Sequence, residues 1–186
     1  MTDFPTHTID SAPEASRDAL RRSEASYGTV PNLHGTLAES PEALAMYQAG
    51  VAALAATDFT PAEQQLLYLA INYENDCTYC MAGHSRAAAR AGLSPDAIEA
   101  LREGTPIADL RLQALREFAS EMTVKRGGVG DAAVERFLAA GFERRQVLDV
   151  ILAIATKTLS NYTNHVARTP NDAFMAATAW THPNNR

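Results

Sequence analysis

An all-α fold of seven to nine helices is predicted by three features of the sequence. Helix-start signals recur: Ser40-Pro41, Thr60-Pro61-Ala62-Glu63 and Ser94-Pro95-Asp96-Ala97 each put a hydroxyl at the cap and a proline at the first helical position. The segments that follow carry apolar residues at helical spacing, and no stretch sustains period-2 alternation with β-branched residues. Hydrophobic residues make up 46% of the 186, enough for one sizeable core.

In chain order, residues 1–12 are polar and are expected to form a flexible N-terminal segment, with 13–186 a single all-α domain. Pro13 to Tyr27 reads as a helix, Gly28 to Asn32 as a turn, and Leu33 to Leu37 as a short continuation. Behind Ser40, Leu44, Tyr47, Val51 and Leu54 share a helical stripe. Thr60 with Glu63 forms a capping box ahead of Leu66, Leu67, Leu69, Ala70 and Ile71. Asn75-Asp76 is a turn whose Asp76 is expected to cap the next helix, with Gly92 its C′ residue. Ile98 and Leu101 mark a helix ending at Gly104; Leu112, Leu115, Phe118 and Met122 mark another, from Asp109 to about Lys125. Gly127-Gly128-Val129-Gly130 reads as the most flexible loop, after which Asp131 is expected to cap a helix ending near Gly141. A last long helix runs from about Glu143 toward Tyr162. Leu69-Ala70-Ile71 before Cys77 and Leu152-Ala153-Ile154 before Ser160 look faintly alike, from either an internal duplication or similar composition.

The chemistry concentrates in Glu74-Asn75-Asp76-Cys77-Thr78-Tyr79-Cys80-Met81-Ala82-Gly83-His84. Both cysteines of the chain lie here, three residues apart, with His84 one helical turn after Cys80. Two thiols and an imidazole within reach form a dithiol redox constellation. The first turn of a helix stabilises a thiolate and moves a cysteine pKa from ~8.5 into a range of roughly 3.5–7.5. Glu74 and Asp76 oppose that second negative charge, so His84 is the group expected to decide whether a thiolate forms near neutral pH. Zinc is the rival for two thiolates and an imidazole, but it needs a fourth ligand, and no second Cys-x-x-Cys or His-x-x-x-His exists. We therefore expect no metal and no cofactor. Tyr79 either shields the thiols and shapes a substrate pocket or simply packs. Arg86 and Arg90 either bind an anion or are solvated charges.

A net charge of −6 and the absence of a basic run argue against nucleic acid. Only two of the 16 basic residues are lysines, Lys125 and Lys157, which reads as a habit of composition. No apolar run approaches the ~18 residues of a membrane span, and Met1 to Arg22 has no apolar leader segment. A cytoplasmic protein is expected, in which a close cysteine pair is redox-active or metal-binding rather than a staple.

Cys77-Thr78-Tyr79-Cys80 with His84 resembles the CxxCxxxH motif of the AhpD-like alkylhydroperoxidases, within the carboxymuconolactone decarboxylase family. Tyr27-Gly28-Thr29-Val30-Pro31-Asn32 is similar to the YGxxPN segment of the peroxidase-related branch. Ser160 to His165, followed by Thr169-Pro170-Asn171-Asp172, resembles that branch's C-terminal NYxNH and TP segments. The resemblance implies an AhpD-like helical bundle forming a homo-oligomer, a trimer or hexamer. It also implies reduction of an organic hydroperoxide through a cysteine disulfide cycle, reopened by an external dithiol reductant. Asn161 and His165 are then placed near a substrate pocket. The family's relay glutamate, twelve residues before the first cysteine, is here Gln65, which orients an imidazole but takes up no proton. Glu74 is the nearer substitute, and Gln65→Glu is expected to strengthen the relay. In this scheme His84 takes the proton of Cys80, Cys80 attacks the peroxide and Cys77 resolves, or the two thiols exchange roles. A dithiol sensor using the same disulfide is the alternative, and lactone decarboxylation, found in relatives without the cysteine pair, is a third.

Overall fold

The computed structural model describes residues 4–186. Of the N-terminal segment expected to be flexible, residues 1–3 lie outside the described residues. From residue 4 onward the segment follows α2 (Asn32–Leu37): His7 N–H donates to the Gly35 carbonyl at 3.1 Å, and its imidazole meets Glu39 at 2.6 Å.

Nine α-helices and two 3-10 turns, with no strand among the described residues, make the all-α bundle that the sequence predicts. The start signals work as read. Ser40, Thr60 and Ser94 accept from the backbone N–H of the third residue of α3 (Pro41–Ala55), α4 (Pro61–Glu74) and α6 (Pro95–Glu103), and Thr60 with Glu63 closes a capping box. Asp109 caps α7 (Leu110–Val124). Two expected caps fail. Asp131 is itself the first residue of α8 (Asp131–Ala139), with Gly130 at the cap. Asp76 adopts a left-handed φ of 49° and belongs to the end of α4. There Cys77 N–H returns to the Asn72 carbonyl and Asp76 N–H to Tyr73, both at 3.0 Å, the paired bonds that close a helix through a left-handed residue. Cys77 consequently becomes the N-cap of α5 (Thr78–Arg90), so one turn ends a helix and presents the first thiol at the start of the next.

α4 is buried on every side from Leu66 to Asn72 because α5, α7 and α9 (Arg144–Ala167) pack around it. α9 also lies along α3, and Gly50 allows that approach, since a Cβ there would collide with Thr156. The core falls into two apolar clusters. One fills the space among α4, α6, α7 and α8; the other joins Leu20 of α1 (Glu14–Tyr27), Leu33, Leu37, Leu44 and Tyr47 to Cys77, Tyr79 and Cys80. Both thiols therefore sit in core, not on a surface turn.

The helices marked in the sequence end with α9, and the chain continues beyond it. It crosses α5 as a strap containing the two 3-10 turns, Ala173–Thr178 and Pro183–Asn185. Arg102 donates to the carbonyls of Thr178 and Ala179, and Arg86 to that of Phe174 at 2.6 Å, so cationic side chains replace a backbone ladder.

Candidate active site

Cys77 and Cys80 are free thiols, 1% and 2% exposed, so neither is the more accessible one. Their surroundings differ nonetheless. Cys80 borders a cavity of about 190 Å³ that Cys77 does not reach. The wall is largely aromatic, with Tyr27, Tyr47, Tyr68, Tyr79 and Phe174, and His84 and Lys157 line it too.

α9 supplies most of the polar contacts to the thiols. Asn164 Nδ2 donates to Cys80 Sγ at 3.1 Å and lies 3.8 Å from Cys77 Sγ; Ser160 Oγ is 3.8 Å from Cys80 Sγ. Asn161 sits on the same face, its amide nitrogen donating to Asn72 at 3.0 Å and its oxygen accepting from Asn75 at 2.8 Å. Burial pushes the Cys80 thiol up, but the Cys77 hydrogen bond, the Lys157 cation, Ser160 and Asn161 outweigh it and bring Cys80 down to about 5. Cys77 is driven the other way, by its hydrogen bond to Cys80 and then by burial. Both shifts favour a thiolate on Cys80 over one on Cys77.

Counting twelve residues back to Gln65 finds the partner of His84. Gln65 Oε1 accepts from His84 Nδ1 at 2.9 Å. That assignment leaves Nε2 as an acceptor, and Lys157 Nζ donates to it at 3.0 Å. Burial, reinforced by Lys157, holds His84 well below its usual range, so it is a neutral imidazole. Among the described residues no hydrogen bond joins His84, the base expected to take the thiol proton, to Cys80; its Nε2 is engaged by Lys157 instead. Lys157 is 1% exposed, with its ammonium also 5.2 Å from the centre of the Tyr68 ring. The sequence reading passed over this lysine.

The remaining predicted residues divide. Tyr79 lines the cavity, and its hydroxyl donates to Asp172 at 2.5 Å while accepting from Leu33 N–H at 3.2 Å. Asp172 also accepts from Asn32 N–H, so Tyr79 fastens the strap to the start of α2. Glu74 ends α4 and bonds to neither thiol nor His84 among the described residues. His165 points away from the cavity and meets the Asn75 carbonyl at 2.8 Å. Arg86 stacks near Phe174, 5.4 Å from its ring centre. His34, another residue the sequence reading missed, lies in the cavity wall with Nδ1 2.7 Å from Ser23 Oγ, and burial lowers it to about 4. Among the described residues no three His, Cys, Asp or Glu side chains form a group that could hold a metal ion. No helix among them is long and apolar enough to cross a membrane.

Residues 38–121 match the model of the carboxymuconolactone decarboxylase family, a span that includes Gln65, Cys77, Cys80 and His84 but not Lys157. The fold is similar to an alkylhydroperoxidase AhpD core, an uncharacterized peroxidase-related protein from Ralstonia eutropha JMP134. The two share 22% identity and a TM-score of 0.82 over 92% of this chain and 93% of that one. An uncharacterized peroxidase-related protein from Silicibacter sp. TM1040 is similar at 21% identity and a TM-score of 0.79, over 94% and 92% of the two chains. A cysteine-to-alanine form of the debrominase Bmp8, in complex with 2,3,4-tribromopyrrole, is similar at 15% identity and a TM-score of 0.78, over 96% of each chain. No curated protein sequence matches the chain.

Proposed function

For a chain whose residues 38–121 match the model of the carboxymuconolactone decarboxylase family and whose fold is AhpD-like, we propose a thiol-dependent peroxidase that reduces organic hydroperoxides through a Cys77–Cys80 disulfide cycle. The observation that carries this reading is Cys80 at the wall of a cavity, where Cys77 and the buried Lys157 cation shift it toward the thiolate.

The cycle closes in protons and electrons. Cys80 thiolate attacks the terminal oxygen of R–O–O–H; the S–O bond forms, the O–O bond breaks, and RO⁻ takes a proton from the Lys157 ammonium to leave as an alcohol. Cys80 is now a sulfenic acid. Cys77 thiol attacks its sulfur, its proton joins the departing hydroxide as water, and the disulfide forms. An external dithiol reduces the disulfide to two thiols, and Cys80 returns its proton to the lysine amine. Neutral His84 accepts from Lys157 and orients it, and Gln65 fixes the imidazole tautomer in which that is possible.

Purified protein given tert-butyl hydroperoxide and dithiothreitol should consume the peroxide catalytically, and Cys80→Ser should not. Oxidised protein should be two hydrogens lighter and resist alkylation. A single stoichiometric oxidation without turnover would instead fit the dithiol sensor.

The aromatic wall favours a second reading, reductive dehalogenation of a haloarene, which the similarity to a debrominase in complex with a brominated pyrrole also supports. Aryl bromide and two thiols give arene, hydrogen bromide and the disulfide. Bromide release from a brominated pyrrole, without peroxide turnover, would select it.

A homo-oligomer completes the proposal. Met46 of α3 and Tyr162 and Val166 of α9 are exposed large apolar residues that border a groove of about 630 Å³, away from the thiols.

A further inference from the structure

Tyr68 lies three residues after Gln65 on α4 and borders the same cavity as Cys80. Its ring centre is 4.7 Å from that of His84 and 5.2 Å from Lys157 Nζ, so it touches the two groups that manage the proton. The residue is 4% exposed, and its hydroxyl is buried with no hydrogen-bond partner among the described residues. The contrast with Tyr79, whose hydroxyl both donates and accepts, is sharp. A buried O–H without a partner is destabilising and therefore uncommon, and at a reaction centre it marks a donor kept for something that arrives.

We propose that Tyr68 is a catalytic residue whose hydroxyl donates a hydrogen bond to the substrate oxygen that departs as the alcohol. The assignment rests on the peroxidase reading above. In the intact hydroperoxide that oxygen is a weak acceptor. As the O–O bond breaks, its electron pair passes to RO, and the oxygen becomes a strong acceptor. A donor fixed in place stabilises the second state more than the first, which is what accelerates a reaction. The proton that neutralises RO⁻ still comes from Lys157, and the Tyr68 O–H bond stays intact. Burial raises Tyr68 above the ordinary phenol range and so keeps it a donor.

The proposal predicts a dependence on the leaving group. Alkyl hydroperoxides expel a basic alkoxide that needs the donor; peracids expel a carboxylate that hardly does. Tyr68→Phe should therefore lose about tenfold to a hundredfold in kcat/KM with tert-butyl hydroperoxide, the range of a hydrogen bond to a developing charge. With peracetic acid it should stay within about twofold. Its thiolate titration should match wild type, and its melting temperature should be unchanged or higher, because no protein hydrogen bond is removed. Equal losses with both substrates, no loss with either, or a lowered melting temperature would overturn the assignment while leaving an active peroxidase. A wild-type protein that consumes neither substrate overturns the peroxidase reading and this assignment with it.

Discussion

Lys157 Nζ donates to His84 Nε2 at 3.0 Å, seventy-three residues apart in the chain, and this contact changes which group carries the positive charge at the thiols. Sequence spacing assigns the proton chemistry to an imidazole one turn after Cys80. In the folded protein the imidazole is neutral and serves a lysine.

The first prediction concerns that lysine. Lys157→Met removes the cation and should raise Cys80 from about 5 toward the ordinary thiol value of ~8.5. Wild-type Cys80 should remain a thiolate through neutral pH and protonate only as pH falls through about 5. Ultraviolet thiolate absorbance against pH reads both directly. The sign for stability follows. A depressed folded pKa contributes stability that is complete above the unfolded thiol's pKa and disappears as pH falls through the folded one. The stability gap between wild type and Cys80→Ser should therefore widen as pH rises. An unmoved titration in Lys157→Met would remove the lysine from the site.

The cause of this omission lies in α9. Sequence patterning assumes apolar residues face inward, and α9 is inverted at the site. Thr156, Lys157, Ser160, Asn161 and Asn164 are buried, while Leu148, Ile151, Tyr162 and Val166 are exposed. Four of the buried residues fall at 157, 160, 161 and 164, the spacing of one helical face, so a signal was present. It was a polar stripe at helical period containing one of only two lysines. The capping signals at Ser40, Thr60 and Ser94 were legible because capping is local. Gln65 and His84 were legible because α4 and α5 are joined by one tight turn, which fixes their relative register. The Tyr79–Asp172 contact spans 93 residues and left no local mark beyond the resemblance of the C-terminal segment.

That contact gives the second prediction. Tyr79→Phe leaves the buried Leu33 N–H without its acceptor, while Asp172 loses the phenol donor but keeps the Asn32 N–H. Leaving that N–H unpaired costs about 1–3 kcal/mol, and losing the phenol weakens the Asp172 anchor further, so chemical denaturation should show a clear loss of stability. The Cys80 titration should hardly move, because Tyr79 supports the strap rather than the thiolate. A Tyr79→Phe protein as stable as wild type would mean that the strap is held elsewhere.

Assembly is the third. An exposed apolar face on α9, continuous with Met46 on α3, should be covered by another copy of the chain. Light scattering should give a multiple of 20.0 kDa, and Val166→Asp should reduce it. A mass of one chain at all concentrations would count against the oligomer.

The last prediction couples Gln65 to Lys157. Sequence reasoning expects Gln65→Glu to strengthen a relay through His84, because a carboxylate favours the imidazolium. The geometry reverses that expectation. A glutamate at Nδ1 would raise the His84 pKa, and a protonated Nε2 would present an N–H to the Lys157 ammonium 3.0 Å away, two donors facing each other. Gln65→Glu alone should therefore displace Lys157 and reduce peroxide turnover. In Lys157→Met the opposing cation is gone, and adding Gln65→Glu lets His84 carry the positive charge that the thiolate requires. The double variant should then exceed Lys157→Met in turnover by about tenfold or more, a coupling of at least ~1.4 kcal/mol and large for residues that share a partner. Gln65 and Lys157 would thus be one device: a neutral amide keeps the imidazole neutral so that the lysine can be the cation. Additive effects in the four-protein cycle, measured as kcat/KM and as the thiolate midpoint, would show instead that Gln65 only holds His84 in place.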